Sequence, residues 1–167
     1  FTMKNLVFFL ALLCSSSLVA QFSYNENGTG IQSSSSTASG LYSTAMGIET
    51  TASGDYSTAM GISTTASGFY STAMGFVTTA SGTYSTAMGS VTIASGYYST
   101  ASGRATTAED YGTTAIGLFN KTKETPNPDS FSYQNTAFVI GNGGYNSEGG
   151  YLGTDESRSN AFEVLFD

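Results

Sequence analysis

Histidine is absent from this 167-residue chain, and its one cysteine, Cys14, falls in an apolar N-terminal stretch. Without histidine, nucleophilic catalysis by a Ser-His or Cys-His pair is excluded within the chain, and so are zinc sites built on those ligands. Charge is scarce as well: five basic residues stand against twelve acidic ones, a net charge of −7. That balance argues against nucleic acid as a partner, because affinity for phosphate chains comes mainly from lysine and arginine. Acidity of this kind reads as solubility at a cell surface. The apolar run from Leu6 to Cys14 is too short to cross a bilayer, which takes about 20 apolar residues in a helix.

That run has another reading. Phe1 and Thr2 precede Met3, the expected natural start; Lys4 then supplies a basic residue, the apolar run follows, and Ala20 ends it with a small side chain. Residues 1–20 therefore read as a secretory signal peptide cleaved after Ala20, although Leu18 is larger than usual three positions before the cut. A lipoprotein reading of Leu12-Leu13-Cys14 needs a small residue just before the cysteine, and Leu13 is not small. The processed chain then has no cysteine and no disulfide. Its charge becomes −8, four basic residues against twelve acidic ones. An exported protein of this size without disulfides draws its stability from regular stacking and oligomerisation.

What the chain does have is a repeat. Six blocks of fourteen residues tile residues 37–120 without a gap, beginning Thr37-Ala-Ser-Gly-Leu-Tyr-Ser-Thr-Ala-Met-Gly-Ile-Glu-Thr50. A short fixed period marks a solenoid, in which each turn buries its apolar face only against its neighbours. Each block is two similar heptads, but a coiled coil needs large apolar residues at a and d with charges at e and g. Here the apolar positions are mostly alanine, and eleven of twelve heptads carry a glycine, from Gly40 to Gly117, with Asp110 the exception. Glycine costs about 1 kcal/mol in a helix relative to alanine. Short Thr- and Ser-rich strands with a turn at each glycine fit better, two strands and two turns per coil.

Strand alternation then assigns faces. Tyr42, Thr44 and Met46 share one side, and Ser43, Ala45 and Gly47 the other. The small set is expected inside, since alanine recurs at one position in all twelve heptads, Ala38 to Ala115. The outward set stacks into ladders: Tyr42, Tyr56, Tyr70, Tyr84 and Tyr98, beside Met46, Met60, Met74, Met88, Ser102 and Ile116. An exposed apolar face of this kind marks an interaction surface, here expected to be covered by another subunit. The opposite arrangement, with Tyr and Met inside a wider coil and alanines outside, is the alternative. The other sheet shows Glu49, Thr51, Ser53 and their equivalents Ser63, Thr65 and Ser67 to solvent.

Ser43-Thr-Ala-Met-Gly47 and Thr113-Thr-Ala-Ile-Gly117, alternating with Thr-Ala-Ser-Gly, resemble the Ser-x-Ala-Ile-Gly repeats in heads of trimeric autotransporter adhesins, the YadA-like group. The resemblance covers residues 37–120. It implies a left-handed parallel β-roll of six coils, a homotrimer, no cofactor, and attachment to matrix, cells or abiotic surfaces rather than catalysis. Residues 137–143 and 158–167 look like a segment that follows such heads in proteins carrying an intramolecular chaperone. No stalk or membrane anchor follows, so the chain reads as an N-terminal fragment of a bacterial surface protein, anchored through parts it lacks. The expected organisation is a signal peptide (1–20), a flexible polar segment (21–36), the head (37–120), a linker with Pro126 and Pro128 (121–130), and the start of a β-rich segment (131–167).

Weaker signals remain. Glu109 and Asp110 replace small residues in the sixth block, as capping repeats do, and adjacent strand residues point apart, which disfavours an acid pair. Ile140-Gly-Asn-Gly-Gly144 lacks phosphate-loop spacing and reads as a turn between strands. Asp155, Glu156, Asn146 and Asn160 offer oxygens to calcium without a recognisable ligand spacing, so no metal site is assigned. Asn27-Gly-Thr29 and Asn120-Lys-Thr122 match a glycosylation triplet. From a different functional class, Thr51, Ser53, Thr65, Ser67, Thr79 and Ser81 would form a flat hydroxyl grid of the kind that binds ice, with coils about 4.8 Å apart and i, i+2 residues about 7 Å apart.

Overall fold

In a computed structural model of the chain, residues 22–25, 28–144 and 158–166 are described. The signal-peptide reading, Asn27, and the candidate calcium ligands Asn146, Asp155 and Glu156 lie outside them. The strands in chain order are β1 (Phe22–Tyr24), β2 (Ile31–Ser33), β3 (Thr37–Ala38), β4 (Thr44–Ile48), β5 (Thr51–Ala52), β6 (Thr58–Ile62), β7 (Thr65–Ala66), β8 (Thr72–Phe76), β9 (Thr79–Ala80), β10 (Thr86–Ser90), β11 (Ile93–Ala94), β12 (Thr100–Arg104), β13 (Thr107–Ala108), β14 (Thr114–Leu118), β15 (Thr136–Asn142) and β16 (Asn160–Leu165). The five-residue strands line up in one sheet and the two-residue strands in another. Each coil is thus a long strand, a turn, a short strand and a turn.

Pairing is parallel and in register at the sequence period: Thr44, Ala45, Met46, Gly47 and Ile48 face Thr58, Ala59, Met60, Gly61 and Ile62. The result is a parallel β-solenoid of six coils, as the repeat predicts. Among the described residues no helix is long and apolar enough to cross a membrane.

The alanines form the core. All twelve, Ala38 to Ala115, are at most 1% exposed, so the alternative with alanine outside is excluded. Ser43 and its equivalents Ser57, Ser71, Ser85 and Ser99 are also inside, as expected. So is a row that the alternation argument did not place: Thr50, Thr64, Thr78, Thr92 and Thr106, the last residue of each of the first five blocks. Gly47, expected inside, is instead exposed. Its φ of 136° takes the strand out of simple alternation, and a Cβ there would overlap the carbonyl oxygen of Gly61 in the next coil. Tyr42 also falls outside the alternation rule. It sits in a turn at φ 55°, in the left-handed region, before β4 begins.

The long sheet runs past the repeats at both ends. At the start, where the sequence suggests a flexible segment, β1 pairs antiparallel with β2, and β2 pairs parallel with β4. At the other end β15 adds parallel to β14, with Val139 opposite Ala115 and Gly141 opposite Gly117, and β16 closes the sheet antiparallel. Ile140 to Asn142, expected in a turn, are therefore strand.

Candidate interaction surface

Register turns the long sheet into rows. The methionine row, Met46, Met60, Met74 and Met88, continues through Ser102 and Ile116, as the repeat predicts. It then runs on into Ile140 and Phe162, beyond the repeats. The neighbouring threonine row, Thr44 to Thr114, ends likewise in Phe138 and Val164. A third row, Ile48, Ile62, Phe76 and Leu118, is 44–55% exposed. Sequence reasoning passed over this row because its residue type varies from coil to coil. Its signal was the fixed spacing: each member comes two residues after the methionine position.

Along one edge the tyrosines stack. Successive ring centroids from Tyr42 through Tyr56, Tyr70 and Tyr84 to Tyr98 lie 5.3, 4.7, 5.1 and 5.1 Å apart, with planes 3–20° from parallel. Phe69 packs edge-on against Tyr56 and Tyr70. Left-handed φ at a non-glycine residue costs of order 1 kcal/mol or more, and aromatic pairs return about 0.5–1.5 kcal/mol each. Stacking therefore offsets much of the backbone cost. In the sixth coil Gly112 takes the tyrosine position, and the ring of Phe166 lies against it.

The other sheet shows hydroxyls. Thr51, Thr65 and Thr79 are half-buried and Ser53, Ser67 and Ser81 are exposed. The rows do not persist, however: Ile93 breaks the threonine row and Glu109 ends the serine row.

The two ends of the stack carry the polar chemistry. Asp110 is 1% exposed. Its carboxylate accepts the backbone N–H groups of Asn127 at 2.7 Å and Thr136 at 2.9 Å, and pairs with Lys123 Nζ at 3.0 Å. Glu109 accepts the N–H of Lys123 at 2.7 Å. Burial pushes its carboxyl above the ordinary range, opposed by that hydrogen bond and reinforced by the charge of Asp110. The two carboxylates accept different donors, Glu109 the Lys123 backbone N–H and Asp110 the Lys123 ammonium with two other N–H groups, which is the capping arrangement and not a shared-proton pair. Asn120 is 2% exposed and replaces the buried threonine; its Oδ1 accepts Thr107 N–H at 2.7 Å and its Nδ2 donates to Thr107 O at 3.0 Å. Burial and hydrogen bonding remove it as a glycosylation acceptor. Residues 121–130, expected as a linker, are tied to the array: Tyr97 N–H donates to Pro128 O and Tyr111 N–H to Asn127 O, both at 2.9 Å. Asn160 bonds Lys121 N–H and Glu163. Among the described residues no three His, Cys, Asp or Glu side chains gather as a metal site.

Residues 38–64, 66–91 and 94–120 match the YadA head domain repeat. The array is a run of YadA head repeats. No curated protein is detectably similar to the chain. The YadA head is a structural, adhesin-type module and not an enzyme family. The match ends at Asn120, whereas the sheet of this YadA-type head continues into β15 and β16.

Proposed function

We propose that the chain is the adhesive head of an exported surface protein, assembled as a homotrimer. Met46, Met60, Met74, Met88 and Ile116 face partner subunits at the centre of the contact, and Tyr42, Tyr56, Tyr70 and Tyr84 lie at its rim. The remaining surface meets extracellular matrix, another cell or an abiotic support. The largely apolar face of the long sheet carries this reading. Large apolar side chains stand on it in β4, β6, β8, β10, β14, β15 and β16, with a polar break at β12, where Thr100, Ser102 and Arg104 take the same positions. Large exposed apolar patches are interaction surfaces, and burying one returns about 25 cal/mol per Å². A repeated outer surface then gives many identical weak contacts, which multivalency converts into firm attachment.

Sedimentation of two double variants tests the assembly. Met60→Asp with Met74→Asp places unpaired carboxylates in the contact, at several kcal/mol each, and is expected to abolish the trimer. Ser53→Asp with Ser67→Asp on the other sheet is expected to leave it intact, within about 0.5 kcal/mol. The reverse outcome inverts the faces. Beads coated with the protein are expected to be held by matrix proteins, cells or glass; retention no better than that of uncoated beads overturns the adhesive role.

A further inference from the structure

The tyrosine ladder is a distinct chemical feature from the apolar face beside it. Five phenols stand on five successive coils, stacked within 20° of parallel at centroid separations of 4.7–5.3 Å. Each is 42–60% exposed, so the rings are open to a small oxidant and free to tilt. Face-to-face stacking hides the ring faces and leaves the ring edges, with their hydroxyls and ortho carbons, outward. That geometry disfavours a stacking ligand such as a sugar ring. It favours reaction between neighbours, because every inner ring has a second phenol one coil away on either side.

We propose that the ladder is a site of oxidative dityrosine coupling that staples neighbouring coils to each other within one chain. A one-electron oxidant driven by hydrogen peroxide removes an electron and a proton from each of two adjacent phenols. The two phenoxyl radicals join ortho carbon to ortho carbon, and the displaced ring hydrogens move to the oxygens to restore both phenols. Two tyrosines lose two hydrogens in all, and one hydrogen peroxide is reduced to two waters. The partners lie on the same chain, so the coupling is available to a single protomer and does not depend on the proposed trimer. Tyr98 and Tyr111 meet at 65°, and Tyr133 has the phenylalanine Phe131 beside it, so neither repeats the stacked geometry.

The sequence itself provides the assay. Cleavage after methionine puts Tyr56, Tyr70 and Tyr84 on separate fragments, 47–60, 61–74 and 75–88. The full chain is treated with a small haem-peptide peroxidase and hydrogen peroxide, methionine sulfoxide is reduced with thiol, and the chain is cut with cyanogen bromide. Dityrosine fluorescence is expected, with 47–60 joined to 61–74 and 61–74 to 75–88, each pair two hydrogens lighter than its parts. The uncut chain is expected to run as a monomer on a denaturing gel. Tyr70→Phe keeps the ring and the stack but removes two of the four neighbouring phenol pairs. It is expected to eliminate both joined pairs, with unchanged circular dichroism, and to leave Tyr56 coupled to Tyr42 and Tyr84 to Tyr98. Fragments joined only like with like, in chains that run as dimers or trimers, overturn the proposal by placing the coupling between molecules. An absence of joined fragments, or 61–74 still joined to a neighbouring fragment in Tyr70→Phe, overturns it as well.

Discussion

The middle coils and the last coil of the head use the same fourteen positions for different work. Where coils two to five have Gly54, Gly68, Gly82 and Gly96, the sixth has Asp110; where earlier coils bury Thr78 or Thr92, it buries Asn120. The neighbour explains the difference. A Cβ on Gly96 would overlap the carbonyl oxygen of Asp110 in the next coil. No seventh coil of the same form stands over Asp110. Its side chain instead accepts the backbone N–H groups of Asn127 and Thr136 in the segment that closes the stack, since buried backbone donors need partners. The other end follows the same logic: Gln32 Oε1 accepts the N–H of Ala38 at 2.9 Å and Ser33 Oγ that of Gly47 at 3.1 Å. Identity at a repeat position therefore depends on whether a coil follows.

Moving the end residue into the middle is the most severe way to break this comparison. Gly68→Asp sets a side chain against the Gly82 carbonyl and buries a carboxylate, so a loss above about 4 kcal/mol is expected; thermal melting followed by circular dichroism should show an array that no longer folds. Removing the cap comes next. Asp110→Ala leaves the N–H groups of Asn127 and Thr136 without their acceptor and the Lys123 ammonium with the Gln134 carbonyl but no carboxylate, at about 3 kcal/mol. Hydrogen exchange should then show lost protection at Asn127 and Thr136 while the middle coils stay protected.

A smaller effect sharpens the comparison from the interior. The hydroxyls of Thr50, Thr64, Thr78, Thr92 and Thr106 are buried without a protein partner, unlike that of Ser43, which donates to Gly40 O at 2.7 Å. Thr78→Val replaces an unpaired hydroxyl with a methyl of the same shape and is expected to stabilise by about 1 kcal/mol in chemical denaturation. The smallest effect is at Glu109. Burial holds its folded-state carboxyl above the ordinary value of 4.5, so the folded state holds the proton more tightly and ionisation disfavours folding as pH rises through the folded value. Glu109→Gln is expected to raise the melting temperature slightly at pH 7. The difference should vanish below the unfolded value of 4.5, where both side chains are neutral.

Much of this was legible from residues alone because the repeat multiplies a weak signal. One alanine in a strand says little, but alanine at twelve equivalent positions requires a space that admits nothing larger, and the structure buries all twelve. The methionine row and the capping role of Glu109 and Asp110 followed from the same comparison of blocks. The stacked tyrosines were legible as a row, though not as turn residues: alternation assumes extended backbone, and Tyr42 at φ 55° and Gly47 at φ 136° are not extended.

The strands outside the repeats were the hardest to read. Thr136–Asn142 adds a coil-like strand in which Phe138 pairs with Thr114, 24 residues earlier, and Val139 takes an alanine position, and no period announces it. The sequence by itself determined the period, the core residue and the in-register stacking, because those arise from contacts between identical neighbours. Only the tertiary structure decided where the stack stops and what closes it. The closing hydrogen bonds join residues far apart in the chain, such as Asp110 with Thr136 and Lys121 with Asn160, and a pairing made once leaves no repeat to read.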